Sequence, residues 1–276
     1  MAPPPTHLSP SSASTFEQCP RRWRYKYVDK LPDPSGRAAL VGGFAHRVLE
    51  LLCELPRPLR TRDQAKALAR ACWPEVEGDP DYQALQLDHA AARDFRWAGW
   101  AAIAGLWALE DPATVDVLGT ERSVQTTLGG VPFVGIVDRV DAVGDEVVVT
   151  DYKSGTLPSV RFQEDKVSQV LLYAAALESV DGRRPDRARL LYLGQRVLDI
   201  PVSDDNLGPA VDALAGTWQS VGSACQEDRF ESRPGVLCGW CPYVDSCDEG
   251  RQEILRRQAE GVLPAHAPAA ALSLVA

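Results

Sequence analysis

Apolar residues in the first half of the chain recur at three- and four-residue intervals, the pattern of helices buried along one stripe. Ser11 or Ser12 is placed to cap a helix running to about Val28, which Pro32, Pro34 and Gly36 end. The same period predicts helices over about 38–55, 62–73 and 82–109. From Val115 the texture changes to β-branched runs broken by Gly129-Gly130 and Gly144-Asp145. Both are two-residue hairpin turns, so three antiparallel strands follow. A helix over about 161–178, a strand pair at 189–193 and 197–202, and a helix over 204–226 complete the pattern. The sum is an α/β fold, a sheet with helices around it.

The third strand ends on Val149-Thr150-Asp151-Tyr152-Lys153-Ser154-Gly155. Side chains alternate along a strand, so Asp151 and Lys153 point the same way as Val147 and Val149, onto a face that otherwise belongs to a core. Burying such charges is costly unless something compensates them. If both turns have two residues, Val143 faces Glu146, Asp138 lies across from Asp151, and Asp138 also faces Glu121. Three acids then form one row, on a face with Val134, Ile136, Val140, Val147 and Val149. Like charges directly opposite on neighbouring strands destabilise a sheet, and a divalent cation removes the conflict. Carboxylate oxygens suit Mg²⁺ or Mn²⁺, which keep waters and accept phosphate oxygens. The competing reading is a structural ion network in which Lys153 or an arginine neutralises one acid. Lys153 stands out because only five of the 29 basic residues are lysine. An ammonium, unlike a guanidinium, can lose its proton when desolvated, which suits a group that orients or deprotonates an attacking water.

At 276 residues, 45% hydrophobic and 24% charged, the chain is long enough for one large domain. The expected organisation is a disordered stretch over 1–7, one domain over 8–261 with a helical insertion at about 56–112, and a flexible tail over 262–276. The longest apolar run, 97–109, is too short to span a bilayer. The proline- and serine-rich start carries no basic region followed by an apolar segment. A cytoplasmic location without membrane association is expected. The net charge of −9 disfavours non-specific attraction to nucleic acid. Yet Arg21, Arg22, Arg24 and Lys26 cluster with Trp23, Tyr25 and Tyr27, a mixture suited to phosphates and base faces, and equally to a solvated helix with core aromatics.

Several motifs occur in order: "LSPSSASTFEQCPRRWRYKYV", "GGFAHRVLE", "GIVDRVD", "DYKSG" and "QVLLY". Together they resemble the PD-(D/E)XK nuclease superfamily and, within it, the RecB-like exonucleases, over about 8–247. The resemblance implies a restriction-endonuclease-like mixed central sheet flanked by helices. It also implies that His46, Asp138 and Asp151 bind the metal, with the Tyr152 backbone carbonyl as a further ligand, and that Lys153 is catalytic. Gln169 and Tyr173, four apart on one helix face, would lie near the substrate strand. Glu121 joins the metal set from the strand register alone, and Glu50, four residues after His46, is placed to orient that histidine.

Cys238, Cys241 and Cys247 have the tight C-x₂-C-x₅-C spacing of metal ligands. Disulfides are not expected in a cytoplasmic protein. Cys53, Cys72 and Cys225 fall in predicted helices and read as small buried hydrophobes, leaving Cys19 as the fourth ligand. Spacing does not separate zinc from an iron-sulfur cluster, since both accept four thiolates. The resemblance favours a 4Fe-4S cluster, with a C-terminal segment at about 227–250 joined through it to the N-terminal helix.

The function expected is metal-dependent hydrolysis of DNA, as an exonuclease on single strands or ends, in repair or recombination. No G-x-x-x-x-G-K-[ST] loop occurs, so any helicase motor would be a separate partner. The alternatives are a sequence-specific endonuclease and a catalytically inactive nucleic-acid- or protein-binding module that keeps the fold and cluster.

Overall fold

The computed structural model describes residues 2–158, 164–265 and 267–271. The start of the helix expected over 161–178 therefore lies partly outside the described residues. The chain divides into two compact units, one made of Ser35–Ala213 and the other of Met1–Pro34 with Leu214–Ala276.

The first unit carries the sheet. Strands β1 (Asp116–Leu128), β2 (Val131–Val143), β3 (Glu146–Lys153), β4 (Arg187–Tyr192) and β5 (Arg196–Pro201) lie side by side in chain order. Both predicted hairpins form, and Gly129 and Gly130 take the positive φ angles, 54° and 80°, that this turn demands. The expected registers hold: Val143 pairs with Glu146 and Arg139 with Thr150, while Arg122 and Thr120 pair with Val137 and Arg139. These pairs flank Glu121 and Asp138. The β3–β4 pair is parallel and the others antiparallel. A parallel pair needs a crossover, and helix α7 (Glu164–Asp181) supplies it and packs on β1 to β4.

Helices α3 (Arg37–Glu54), α4 (Arg62–Gly78), α5 (Pro80–Ala84) and α6 (His89–Ala104) build the helical layer. Its core joins Phe44, Val48, Leu49 and Leu52 to Ile103 and Leu106, to Tyr152 and Leu191 of the sheet, and to Leu193 just after β4. The single helix expected over 82–109 is divided, because the chain turns at Gln86 (φ 48°) and Asp88 starts a new helix by accepting from the Ala91 N–H. Ile136, expected on an apolar face, is 53% exposed, so the acid row emerges where the sheet loses its cover.

In the second unit, α1 (Pro10–Gln18) and α2 (Pro20–Trp23) meet at Cys19, and a π-helical turn follows over Arg24–Val28. The α1 cap is Ser9, earlier than expected, in a reciprocal capping box with Ser12. Helix α8 (Asp204–Glu227) runs from one unit into the other, and α9 (Asp248–Ala259) follows the cysteine segment. Ala2, Phe16, Trp23, Val221, Cys225 and Phe230 form this unit's core. Among the described residues no helix is long and apolar enough to cross a membrane.

Candidate active site

The open end of the sheet gathers the predicted acids. His46 of α3, Glu121 of β1 and Asp138 of β2 each offer a ligand atom, and these atoms lie within 4.8 Å of one another. Ligands about 2.1 Å from one Mg²⁺ lie at most ~4.2 Å apart, so this trio is close to closure around an ion. Its donor set, two carboxylates and an imidazole, fits a hard divalent cation of the Mg²⁺ or Mn²⁺ type. His46 Nδ1 stands 3.5 Å from Asp138 Oδ2. The same Asp138 oxygen accepts the Tyr152 backbone N–H at 2.7 Å, so the carboxylate takes the place of the next ladder bond where β2 and β3 part. Glu121 has φ 44°, strained for a non-glycine residue.

Asp151 and Lys153 form a neighbouring pair. Lys153 Nζ lies 2.5 Å from Asp151 Oδ2 and donates to Gln169 Oε1 at 3.1 Å. The Gln169 amide donates in turn to Asp151 Oδ1 at 3.4 Å and to the Tyr173 hydroxyl at 3.2 Å. The crossover helix thus delivers both residues of the "QVLLY" motif to the strand end. Gly135 makes this possible, since a Cβ there would sit 2.7 Å from the Tyr173 ring.

Electrostatics mark the same group. Burial, then Asp138 and Glu50, push the Glu121 carboxyl up to about 6. Burial also raises Asp151, with Asp138 adding to it and Lys153 opposing. Burial lowers His46, but the Asp138 hydrogen bond and the charges of Asp138 and Asp151 outweigh it and leave the imidazole raised. Burial pushes the Tyr173 phenol up to about 12, so it stays protonated. Glu50 accepts from Arg47 at 2.8 Å, and the partner of His46 is Asp138; the expected orienting role of Glu50 is not what the structure provides.

Sequence reasoning missed a second charged cluster on these strands. Arg139, fully buried, donates to Asp141 at 3.0 Å, to both oxygens of Glu110 at 2.6 and 3.1 Å, and to the Tyr152 hydroxyl at 2.7 Å. Thr150 donates to Asp141 at 2.8 Å. Alternation along "VDRVD" was the available signal, because Arg139 and Asp141 share a parity that Asp138 does not. Lys166 was also missed: desolvation first, then Lys153, holds its ammonium below the ordinary value.

In the other unit, Cys19, Cys238, Cys241 and Cys247 line one small cavity of about 30 Å³ together with Arg21, Arg22 and other residues. The Gly235 and Gly250 N–H groups donate to Cys238 and Cys247 sulfurs at 3.4 Å. Burial raises the Cys241 and Cys247 thiols, while Arg22 and Arg21 oppose it. Cys53, Cys72 and Cys225 are buried, as expected.

The basic segment is tied down. Trp23 is 2% exposed. Arg21 bonds the Phe230 carbonyl at 2.9 Å and Arg24 pairs with Asp29 and Asp228. Lys26 pairs with Asp33, and Tyr25 donates to the Ser246 carbonyl at 2.6 Å. Arg22 Nε is buried without a hydrogen-bond partner.

Comparison with known proteins follows the same outline. Solved structures with some likeness include a candidate exonuclease from Eubacterium rectale, 14% identical with a TM-score of 0.49, covering 84% of this chain and 92% of its own. Another is the protein designated SSO0001, 13% identical with a TM-score of 0.40, covering 90% of this chain and 88% of its own. No curated protein matches the chain. The family model of the PD-(D/E)XK nuclease superfamily matches residues 7–248, and the mixed five-stranded sheet flanked by helices is the restriction-endonuclease-like fold of that group. The chain belongs to the PD-(D/E)XK nuclease superfamily, a group of metal-dependent nucleases.

Proposed function

We propose that this protein is a RecB-like exonuclease that hydrolyses DNA phosphodiester bonds, on single strands or ends, in repair or recombination. The observation that carries the reading is the closely set His46, Glu121 and Asp138 trio beside the Asp151–Lys153 pair. His46, Glu121, Asp138 and Asp151 would hold Mg²⁺ or Mn²⁺, with the Tyr152 carbonyl beside them. Such an ion, when bound, polarises the scissile phosphate and makes a water more acidic.

The chain's own groups supply the remainder. Lys153, held as an ammonium between Asp151 and Gln169, positions the attacking water and stabilises the charge that builds on the phosphate as the water oxygen bonds to phosphorus and the leaving oxygen departs in line, the water's proton passing to solvent. Tyr173 steadies Gln169 through the shared hydrogen bond and so keeps the ammonium aimed. These are positioning and electrostatic contributions, the usual large terms in phosphoryl chemistry.

The four-cysteine cavity supports a 4Fe-4S cluster held by Cys19, Cys238, Cys241 and Cys247. N–H bonds to two sulfurs and the neighbouring Arg21 and Arg22 suit an anionic cluster. Its role would be structural, joining the chain's start to its end.

The test is incubation of end-labelled single-stranded DNA with Mg²⁺ or Mn²⁺, comparing wild type with Lys153→Ala. Loss of product only in the variant supports the reading. Equal outcomes would make the chain a binding module, and cutting of closed circular DNA would make it an endonuclease. A visible absorption band in anaerobically purified protein supports iron, and its absence in a zinc-loaded sample rejects it.

A further inference from the structure

Aromatic rings beside cations are found in the helical layer, where Trp73 and Trp100 line a groove of about 400 Å³ between α4 and α6. Phe44 forms its floor, and Lys66, Arg70 and Arg96 reach over it. The three charged residues lining it are all basic. Lys66, Arg70 and Trp73 fall at i, i+4 and i+7 on α4, and Arg96 and Trp100 at i and i+4 on α6, so each helix presents a cation-and-ring ladder to the gap. Arg96 lies 4.6 Å over the Trp73 ring and Lys66 5.8 Å over Trp100. Trp97, one turn from Trp100 on α6, is 70% exposed.

We infer that this groove binds unpaired nucleotides of a nucleic-acid strand, apart from the acidic site. A base would stack on Trp100, and its phosphates would take Lys66, Arg70 and Arg96. Stacking on rings with flanking cations is how proteins hold single strands without reading sequence. The present ion pairs, Lys66 with Asp63 at 3.2 Å and Arg96 with Glu77 at 3.0 Å, are exposed and contribute little, so a phosphate can replace them. A purely apolar ligand would leave three cations unused. A duplex would hide the base faces the indoles need. The choice of DNA as ligand rests on the nuclease reading, whereas the groove chemistry does not.

The test is titration of the full chain with labelled oligothymidylate in EDTA, reading anisotropy and tryptophan quenching, with the fold of each variant checked by circular dichroism. Trp100→Ala is expected to bind roughly five- to hundred-fold more weakly, with Trp100→Phe recovering most of the affinity. Arg70→Glu, at an exposed position that spares the packing, should weaken binding as well. The pair Lys66→Ala with Arg70→Ala should flatten the log–log salt slope by about 1.4. Wild-type affinity in both Trp100→Ala and Arg70→Glu overturns the inference, as does equal quenching by duplex of the same length or no binding at all. EDTA separates binding from cleavage: binding there, with no cleavage once Mg²⁺ or Mn²⁺ is restored, supports the groove while sinking the nuclease reading.

Discussion

Two charged clusters share strands β2 and β3, and they are built on opposite principles. Around Arg139 the charges answer one another: one guanidinium serves two carboxylates and a phenol, and a threonine donates to Asp141. In the second cluster three carboxylates, Glu121, Asp138 and Asp151, share one histidine and one lysine, and Glu121 and Asp151 are raised by burial and by acidic neighbours. A closed network holds strands and helices in place and offers nothing to a ligand. An open one keeps a deficit of positive charge that a cation and its substrate can fill.

The contrast predicts different failures. Lys153→Ala should cut the cleavage rate by about 10²–10⁴ with little change in Tm, as steady-state kinetics and calorimetry would reveal. Arg139→Met should do the reverse, costing about 3–5 kcal/mol by leaving Asp141 and Glu110 without their buried cation. Urea denaturation measures this, and a loss under 1 kcal/mol would erase the distinction between the clusters.

Metal should stabilise only the open cluster. The folded state holds the Glu121 proton more tightly than the unfolded chain does, with a value of about 6 against 4.5. That contribution is full below about pH 4.5 and is lost as pH rises through 6. Mg²⁺ should therefore stabilise the fold at pH 8 by about 2.7 kcal/mol at a hundred-fold excess over Kd, seen as a rise in Tm, and by much less at pH 5. Glu121→Gln should shrink the pH 8 shift. Smaller still, Gly135→Ala should cost about 1–3 kcal/mol by pressing on Tyr173, with reduced cleavage as Gln169 is displaced.

The site was legible where chemistry and register coincide. Hairpin turns fix pairing, so Asp138 and its strand neighbours could be aligned from Gly129-Gly130 and Gly144-Asp145 alone, and Glu121 followed from that alignment. What escaped depends on tertiary packing. Glu110 reaches Arg139 from outside the sheet, 29 positions away in the chain, and no local pattern announces that meeting. The break at Gln86 escaped because a left-handed residue there interrupts a run that is periodic on both sides. Trp23 sits in a segment whose composition suits nucleic acid, and burial in its own unit removes its face from any ligand.

Asp138 spends one oxygen on the Tyr152 amide, which makes it a splice between two strands as well as a candidate ligand. A descendant of this protein that abandoned catalysis could discard Lys153 freely, yet would be under pressure to retain an acceptor at 138. Degenerate relatives should therefore betray themselves by an asymmetric decay, with the lysine going first and the aspartate lingering as a relic of architecture.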